Sequence, residues 1–303
     1  MKMIRSTKEL SVEFLTEFLD AYEYEADAKK ALLSALDKLM SNNTAKEKMN
    51  AILAEYVDDN FDYSGCFSKA KAVLKEAEVD EYPGTFIFVA HLSSTMRQLY
   101  AERGIPDSIW FDTMRDLKYK AKECLLVKKQ WGTFVGFWYA GFFRLKIYAL
   151  GRLQFDQRKF ETNFTVDGIN ITTETPVLYI HIPRSEEPLT PESAHKAYEM
   201  AKEFFKEKYF GGGPCIFCCS SWLLYPEHKN MLKPEANICR FMDDFTTVIS
   251  RETTDFAYTW RLFDTEYTGD PDALPADTTL RRAYIDRMKK GLPLGSALGV
   301  FII

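Results

Sequence analysis

From Thr7 to about Lys129 apolar residues return every three or four positions, the repeat of one helix face. Phe14, Leu15, Phe18, Leu19 and Tyr22 mark one amphipathic helix, and Ala31, Leu32, Ala35, Leu36 and Leu39 mark a second. The same spacing predicts helices from Lys46 to Tyr56, Cys66 to Glu78, Pro83 to Glu102 and Ser108 to Glu123. Turn-forming clusters separate them: Ser41-Asn42-Asn43, Asp58-Asp59-Asn60, Tyr82-Pro83-Gly84 and Gly104-Ile105-Pro106-Asp107. No alternation of period two interrupts the stretch. It predicts an all-α domain of about five or six helices over residues 1–126.

After Trp131 the pattern changes. One helix is predicted from Thr133 to Tyr148, then strands at Leu150 to Phe155, Asn163 to Ile171 and Pro176 to Pro183, read as a three-strand meander. Asp167-Gly168 places a tight turn within the second. Thr190-Pro191-Glu192-Ser193 has the form of a helix start, with Thr190 as cap and Pro191 at the first helical position. That helix runs to Tyr209, where Gly211-Gly212-Gly213-Pro214 stops it. The apolar run from Cys215 to Leu224 reads as a buried strand. A helix from Pro226 to Leu232, strands at Phe245 to Arg251 and Phe256 to Phe263, a helix from Thr278 to Lys290 and a strand from Ala297 to Ile303 complete the order. Strands interleaved with helices predict a mixed α/β sheet over residues 127–303, so the fold class is α+β: an all-α domain followed by a mixed α/β sheet domain.

Composition narrows the function classes. The 303 residues are 46% hydrophobic and 27% charged, a globular profile able to bury a real core without metal or disulfide. A net charge of -5 argues against a protein built to bind nucleic acid. The most apolar stretch, Trp131 to Phe143, is shorter than the roughly 20 residues that span a bilayer and is expected to be buried in protein, with no membrane partner. Met1 to Leu10 carries no secretion-type apolar run, and the six cysteines show no even spacing. Both point to free thiols and a cytoplasmic location. Cys215 and Cys218 form half of a possible zinc site, but alternation turns them to opposite faces, so no metal is expected. The 23 Phe, 16 Tyr and 5 Trp are most simply core.

Several stretches of the second half carry a resemblance when taken together. They are Leu150-Gly151-Arg152-Leu153-Gln154-Phe155, Ile180-His181-Ile182-Pro183, Cys219-Ser220-Ser221-Trp222-Leu223-Leu224-Tyr225-Pro226, Asn237-Ile238 with Phe241 and Phe245, and Leu274-Pro275-Ala276-Asp277-Thr278-Thr279-Leu280-Arg281-Arg282-Ala283. In this order they resemble a bacterial acyltransferase family with a helical N-terminal domain and a C-terminal domain similar to the GNAT superfamily. The resemblance covers most of residues 130–303, and the helical half matches in kind. It implies acyl transfer from a coenzyme A or acyl-phosphopantetheine carrier-protein thioester to a small-molecule amine. It implies that the strands ending at Pro183 and running from Cys215 diverge, with the pantetheine arm between them against Ile182 and Pro183. The diphosphate is then placed against the helix start at Pro191, Glu192 and Ser193, where unpaired N–H groups favour an anion.

One stretch departs from the superfamily pattern. Arg184 to Thr190 holds no glycine and includes Glu186 and Glu187, which repel a diphosphate. Both thioester donors therefore stand, and the same loop supports an alternative: a catalytically silent binding module of the same fold.

Alternation places His181 on the face of Tyr179. A neutral imidazole there can take a proton from an attacking amine, or it can be a structural histidine bonded to a carbonyl. Ser221 reads either as a contact to the thioester or its leaving thiolate, or as a buried hydroxyl bonded to the neighbouring strand. Cys219, on the face of Ser221, reads as an inert buried thiol, as a substrate contact or as an acyl-accepting nucleophile, the last requiring a lowered pKa. Arg152, Gln154, Trp222 and Asn237 complete the substrate-contact candidates, each with a structural alternative.

Overall fold

The computed structural model describes residues 4–58 and 61–303. The chain forms two compact units, residues 1–148 and 149–303, where the sequence pattern placed the division at 126/127.

The longer helices of the first unit are α1 (Val12–Ala21), α2 (Ala26–Ser41), α3 (Asn43–Asp58), α4 (Tyr63–Glu76), α5 (Glu81–Glu102), α6 (Asp107–Met114) and α7 (Asp116–Lys128). Ser11 caps α1 by accepting from the Phe14 N–H, and the helix buries Phe14, Leu15, Phe18 and Leu19. The break expected at Asp58-Asp59-Asn60 lies partly outside the described residues. α5 is the central helix, buried continuously from Pro83 to Met96, as a helix apolar all round must be. Pro83 and Gly84, read as a break, sit in its first turn, where proline removes no helical hydrogen bond. Gly84 is required for packing: a Cβ there would lie 2.5 Å from Leu74 Cδ2. The helix expected from Ser108 to Glu123 is split at Arg115 into α6 and α7.

The long helix expected from Thr133 to Tyr148 does not form. In its place are a 3-10 turn, Gly136–Tyr139, and a four-residue helix α8, Ala140–Phe143. Glycine explains the difference. Gly132 (φ +150) brings the backbone so near Tyr82 that a Cβ would lie 2.3 Å from its carbonyl carbon. Thr133 N–H then donates to the Tyr82 carbonyl, and Tyr63 donates to the Gly136 carbonyl at 2.6 Å. The aromatic stretch is thus anchored among helices of the first unit, and the compact division falls after it.

The second unit carries a six-stranded sheet ordered β1-β2-β5-β6-β8-β7 and a separate hairpin, β3-β4. The strands are β1 (Ile147–Leu150), β2 (Leu153–Lys159), β3 (Phe164–Val166), β4 (Ile169–Ile171), β5 (Pro176–His181), β6 (Ile216–Ser221), β7 (Thr246–Thr253) and β8 (Leu294–Ile302). The Asn163 to Ile171 stretch is therefore a hairpin outside the main sheet, not one strand of a meander. Its turn is as expected, with Asp167 (φ 50) and Gly168 (φ 76) both left-handed. Phe256 to Phe263, read as a strand, instead forms a 3-10 turn and a helical turn, α12 (Trp260–Phe263). Its aromatic content mimics a strand, but Phe263 turns into a cluster with Tyr284, Met288 and Leu294. The remaining helices are α9 (Pro191–Phe205), α10 (His228–Met231), α11 (Asn237–Asp243) and α13 (Thr279–Lys289).

The two faces of the sheet are covered differently. Val177, Tyr179, Ile216, Cys218, Leu298 and Val300 pack with Phe160, Val166 and Ile171 of the hairpin region. On the opposite face Phe217 stacks on Phe301 at 5.0 Å between ring centres, and Tyr198 of α9 meets both rings.

Candidate active site

β5 and β6 run parallel but pair only at Leu178↔Phe217 and Tyr179↔Cys218. Both strands continue past that point, β5 to His181 and β6 to Ser221. The printed pairs thus end before the strands do, and His181, followed by Ile182 and Pro183, both partly exposed, lies beyond the last of them.

His181 stands at that end of β5. The antiparallel register sets Gln154 opposite His181 and Asp156 opposite Tyr179, so all four share one face. His181 Nε2 lies 3.4 Å from Asp156 Oδ2, and the same oxygen accepts from Arg158 Nε at 2.6 Å. The side chain of His181 is 22% exposed, that of Asp156 only 5%. A partly open imidazole against a buried carboxylate is an arrangement suited to moving a proton. Asp156 was missed from sequence. The signal was present, since alternation from the candidate Gln154 puts Asp156 next on the same strand face.

Ser221 is not brought together with His181. Tyr179 and Cys218 are in register, so alternation puts Ser220 on the His181 face and Ser221 on the other. Ser221 Oγ accepts from the Leu223 N–H at 3.1 Å and caps the 3-10 turn that follows β6. The hydroxyl on the His181 face belongs to Ser220, which is exposed. Cys219 is fully buried, and burial pushes its thiol up to about 12, the opposite direction from the lowered pKa that an acyl-accepting nucleophile requires.

Trp222 packs edge-on against Tyr284, and Asn237 is an exposed residue opening α11. Arg152 holds the chain that leaves β5: its Nε donates to the Glu187 carbonyl at 2.7 Å and its Nη1 to that of Pro183 at 3.0 Å. Gln154 is 2% exposed. Farther along the loop, Arg184 donates to Asp264 at 2.5 Å, and Arg281 donates to the other oxygen of the same carboxylate at 2.7 Å.

The start of α9 is satisfied from within. Thr190 and Ser193 form a reciprocal capping box, and Pro191 has no N–H to offer. Glu192 is held below the usual carboxylate range by the backbone N–H it accepts at its own position and by the Thr190 hydroxyl. An anion reaching Pro191, Glu192 and Ser193 thus meets a carboxylate already seated there, a poorer site than the bare helix start expected.

Two family models match. A GNAT-like C-terminal domain covers residues 147–301, and an N-acyltransferase N-terminal domain covers residues 13–145. No curated protein matches the chain in sequence. A crystal structure of an acyltransferase in complex with decanoyl-CoA and teicoplanin is 22% identical, with a TM-score of 0.77, covering 99% of this chain and 90% of its own. A mutant acyltransferase in complex with octanoyl-CoA is also 22% identical, with a TM-score of 0.75 and the same coverage. At that identity the likeness speaks for the fold. With matched domains covering nearly all of the chain, this protein is an acyltransferase of the family that joins an N-acyltransferase N-terminal domain to a GNAT-like C-terminal domain.

Proposed function

We propose that this enzyme transfers an acyl group from acyl-coenzyme A to the amine of a small molecule, with His181 as proton acceptor. The observation that carries the reading is the end of β5–β6 pairing at Tyr179 and Cys218, with His181 just beyond it against Asp156. The pantetheine arm lies beyond this last pair, beside Ile182 and Pro183, and the thioester carbonyl accepts a backbone N–H from the strand end. The amine nitrogen bonds to the carbonyl carbon and the C–S bond breaks. One amine proton passes to His181 and then to the departing sulfur, so the products are an amide and free thiol.

Coenzyme A is preferred over a carrier protein because the structural neighbours are complexes with decanoyl-CoA or octanoyl-CoA. One neighbour also holds teicoplanin, which makes a glycopeptide amine the first acceptor to test. Incubating the full chain with decanoyl-CoA, decanoyl-carrier protein and an amine panel that includes a deacylated glycopeptide, and reading products by mass spectrometry, tests the reading. An N-decanoyl product from decanoyl-CoA, at least 100-fold slower in His181→Ala, is expected. No amide with any acceptor, or undiminished turnover by the variant, would overturn it.

A further inference from the structure

Asp156 is a buried carboxylate in a strand whose neighbours Leu153 and Phe155 are wholly apolar. A charge taken out of water is costly unless partners compensate, and this one has two cationic or potentially cationic neighbours on a single oxygen. Arg158, 51% exposed, supplies a permanent positive charge at 2.6 Å, and His181 supplies a titratable one at 3.4 Å. The Arg158 guanidinium also lies over the Tyr179 ring, 5.3 Å from its centre. Tyr179, opposite Asp156 on the same face, and Tyr209 are further titratable groups beside it; the Tyr209 hydroxyl donates to the carbonyls of Arg158 and Val177.

We propose that Asp156 is the positioning residue of His181. Its carboxylate accepts a hydrogen bond from Nε2–H, which selects the tautomer with the lone pair on Nδ1 and fixes the plane of the ring. When the acceptor amine gives up a proton, the carboxylate, itself only 5% exposed and so little screened, stabilises the imidazolium that forms. Arg158 opposes it: by neutralising part of the Asp156 charge, the guanidinium keeps the imidazolium from becoming too stable to release its proton. The assignment rests on His181 as the proton acceptor, but Asp156 acts through His181 and touches no reacting atom.

The decisive measurement needs no substrate. Titrating the four histidines of the full chain by NMR after ring-nitrogen labelling gives the midpoint and tautomer of His181 directly. In Asp156→Asn the midpoint falls by about one pH unit and the Nδ1–H tautomer gains population. In Arg158→Gln it moves the opposite way, upward by about half a unit. Opposite shifts from two neighbouring residues are not what a merely structural role produces. His91 and His228 report whether each variant is folded. A folded Asp156→Asn protein with the His181 midpoint and tautomer of the wild type would overturn the proposal. A kinetic arm keeps the two readings apart: decanoyl transfer in Asp156→Asn falls at least tenfold in kcat, with the KM for decanoyl-CoA within about threefold. Shifted titration with an unmoved acid limb of the rate profile would overturn His181 as base while leaving Asp156 as its partner.

Discussion

The two faces of the six-stranded sheet use the same alternation for opposite ends. On the α9 face Phe155, Phe217, Tyr198 and Phe301 form an aromatic layer, and Cys219 beside it is sealed from solvent. On the other face the apolar cluster under the hairpin gives way, towards the C-terminal end of β5, to Asp156, Gln154 and His181. Gln154 and His181 lie past the last β5–β6 pair, Tyr179 and Cys218, and Asp156 lies level with it. The lesson is that adjacency in sequence is a poor guide to a sheet active site. Ser220 and Ser221 are consecutive, yet only the first shares the face of His181.

The largest expected effect falls on the aromatic face. Phe217→Ala removes a fully buried ring stacked on Phe301 and should cost about 3–5 kcal/mol of stability in urea denaturation. A loss below about 1 kcal/mol would mean that the layer is not the core of this unit.

On the polar face the effect is on rate. His181→Ala should lower amide formation by about 10²–10⁴-fold with little change in the denaturation midpoint. Ser221→Ala is the contrast. It removes the cap of a single turn, worth at most about 1 kcal/mol, and should leave turnover within about threefold. If Ser221→Ala is as damaging as His181→Ala, the assignment of the two hydroxyls to opposite faces fails.

How much of this was legible follows the same division. The helical unit was readable because its helices carry apolar stripes of period 3.6, as α1 and α2 do. α9 was readable because Thr190-Pro191 punctuates it. The errors lie where side-chain type and backbone path part company. Trp131 to Tyr148 has helical composition, but Gly132 and Gly136 sit against other chain segments at distances that no Cβ allows, and this closeness exists only after folding. Likewise, His181 was reachable by alternation, whereas its carboxylate comes from another strand through a register that one sequence does not reveal. The helix start at Pro191 was located correctly. Its occupancy by the capping box and Glu192 depends on rotamers that the sequence leaves open.

The histidines extend the comparison to pH. His91 and His228 are buried, and burial lowers the pKa of each. His228 is bonded through both nitrogens, to the Leu223 carbonyl and the Tyr284 hydroxyl. Their neutral forms are favoured in the fold, whereas the unfolded chain protonates near pH 6.5. The stability they contribute is therefore complete above about 6.5 and is lost as pH falls below it. Urea midpoints at pH 7.5 and 5.5 should differ, the lower pH being less stable. A flat profile would contradict the burial of these two rings as neutral species.

The smallest effect concerns the donor's far end. In a donor site built on a bare helix N-terminus, the diphosphate adds charge-assisted hydrogen bonds to the affinity. Here Pro191 lacks a donor, the Ser193 N–H is taken by Thr190, and Glu192 holds its carboxylate at the same place. On the proposed reading, most donor recognition then falls to the pantetheine arm and the acyl chain. Decanoyl-pantetheine should accordingly serve as donor with a KM within about tenfold of that for decanoyl-CoA, a difference of about 1.4 kcal/mol or less. Glu192→Gln should widen the ratio in favour of coenzyme A by removing the competing charge. A preference for decanoyl-CoA of more than about 1,000-fold in the native chain, unaltered by Glu192→Gln, would show that the diphosphate is bound elsewhere and that the self-capped start of α9 is irrelevant to it.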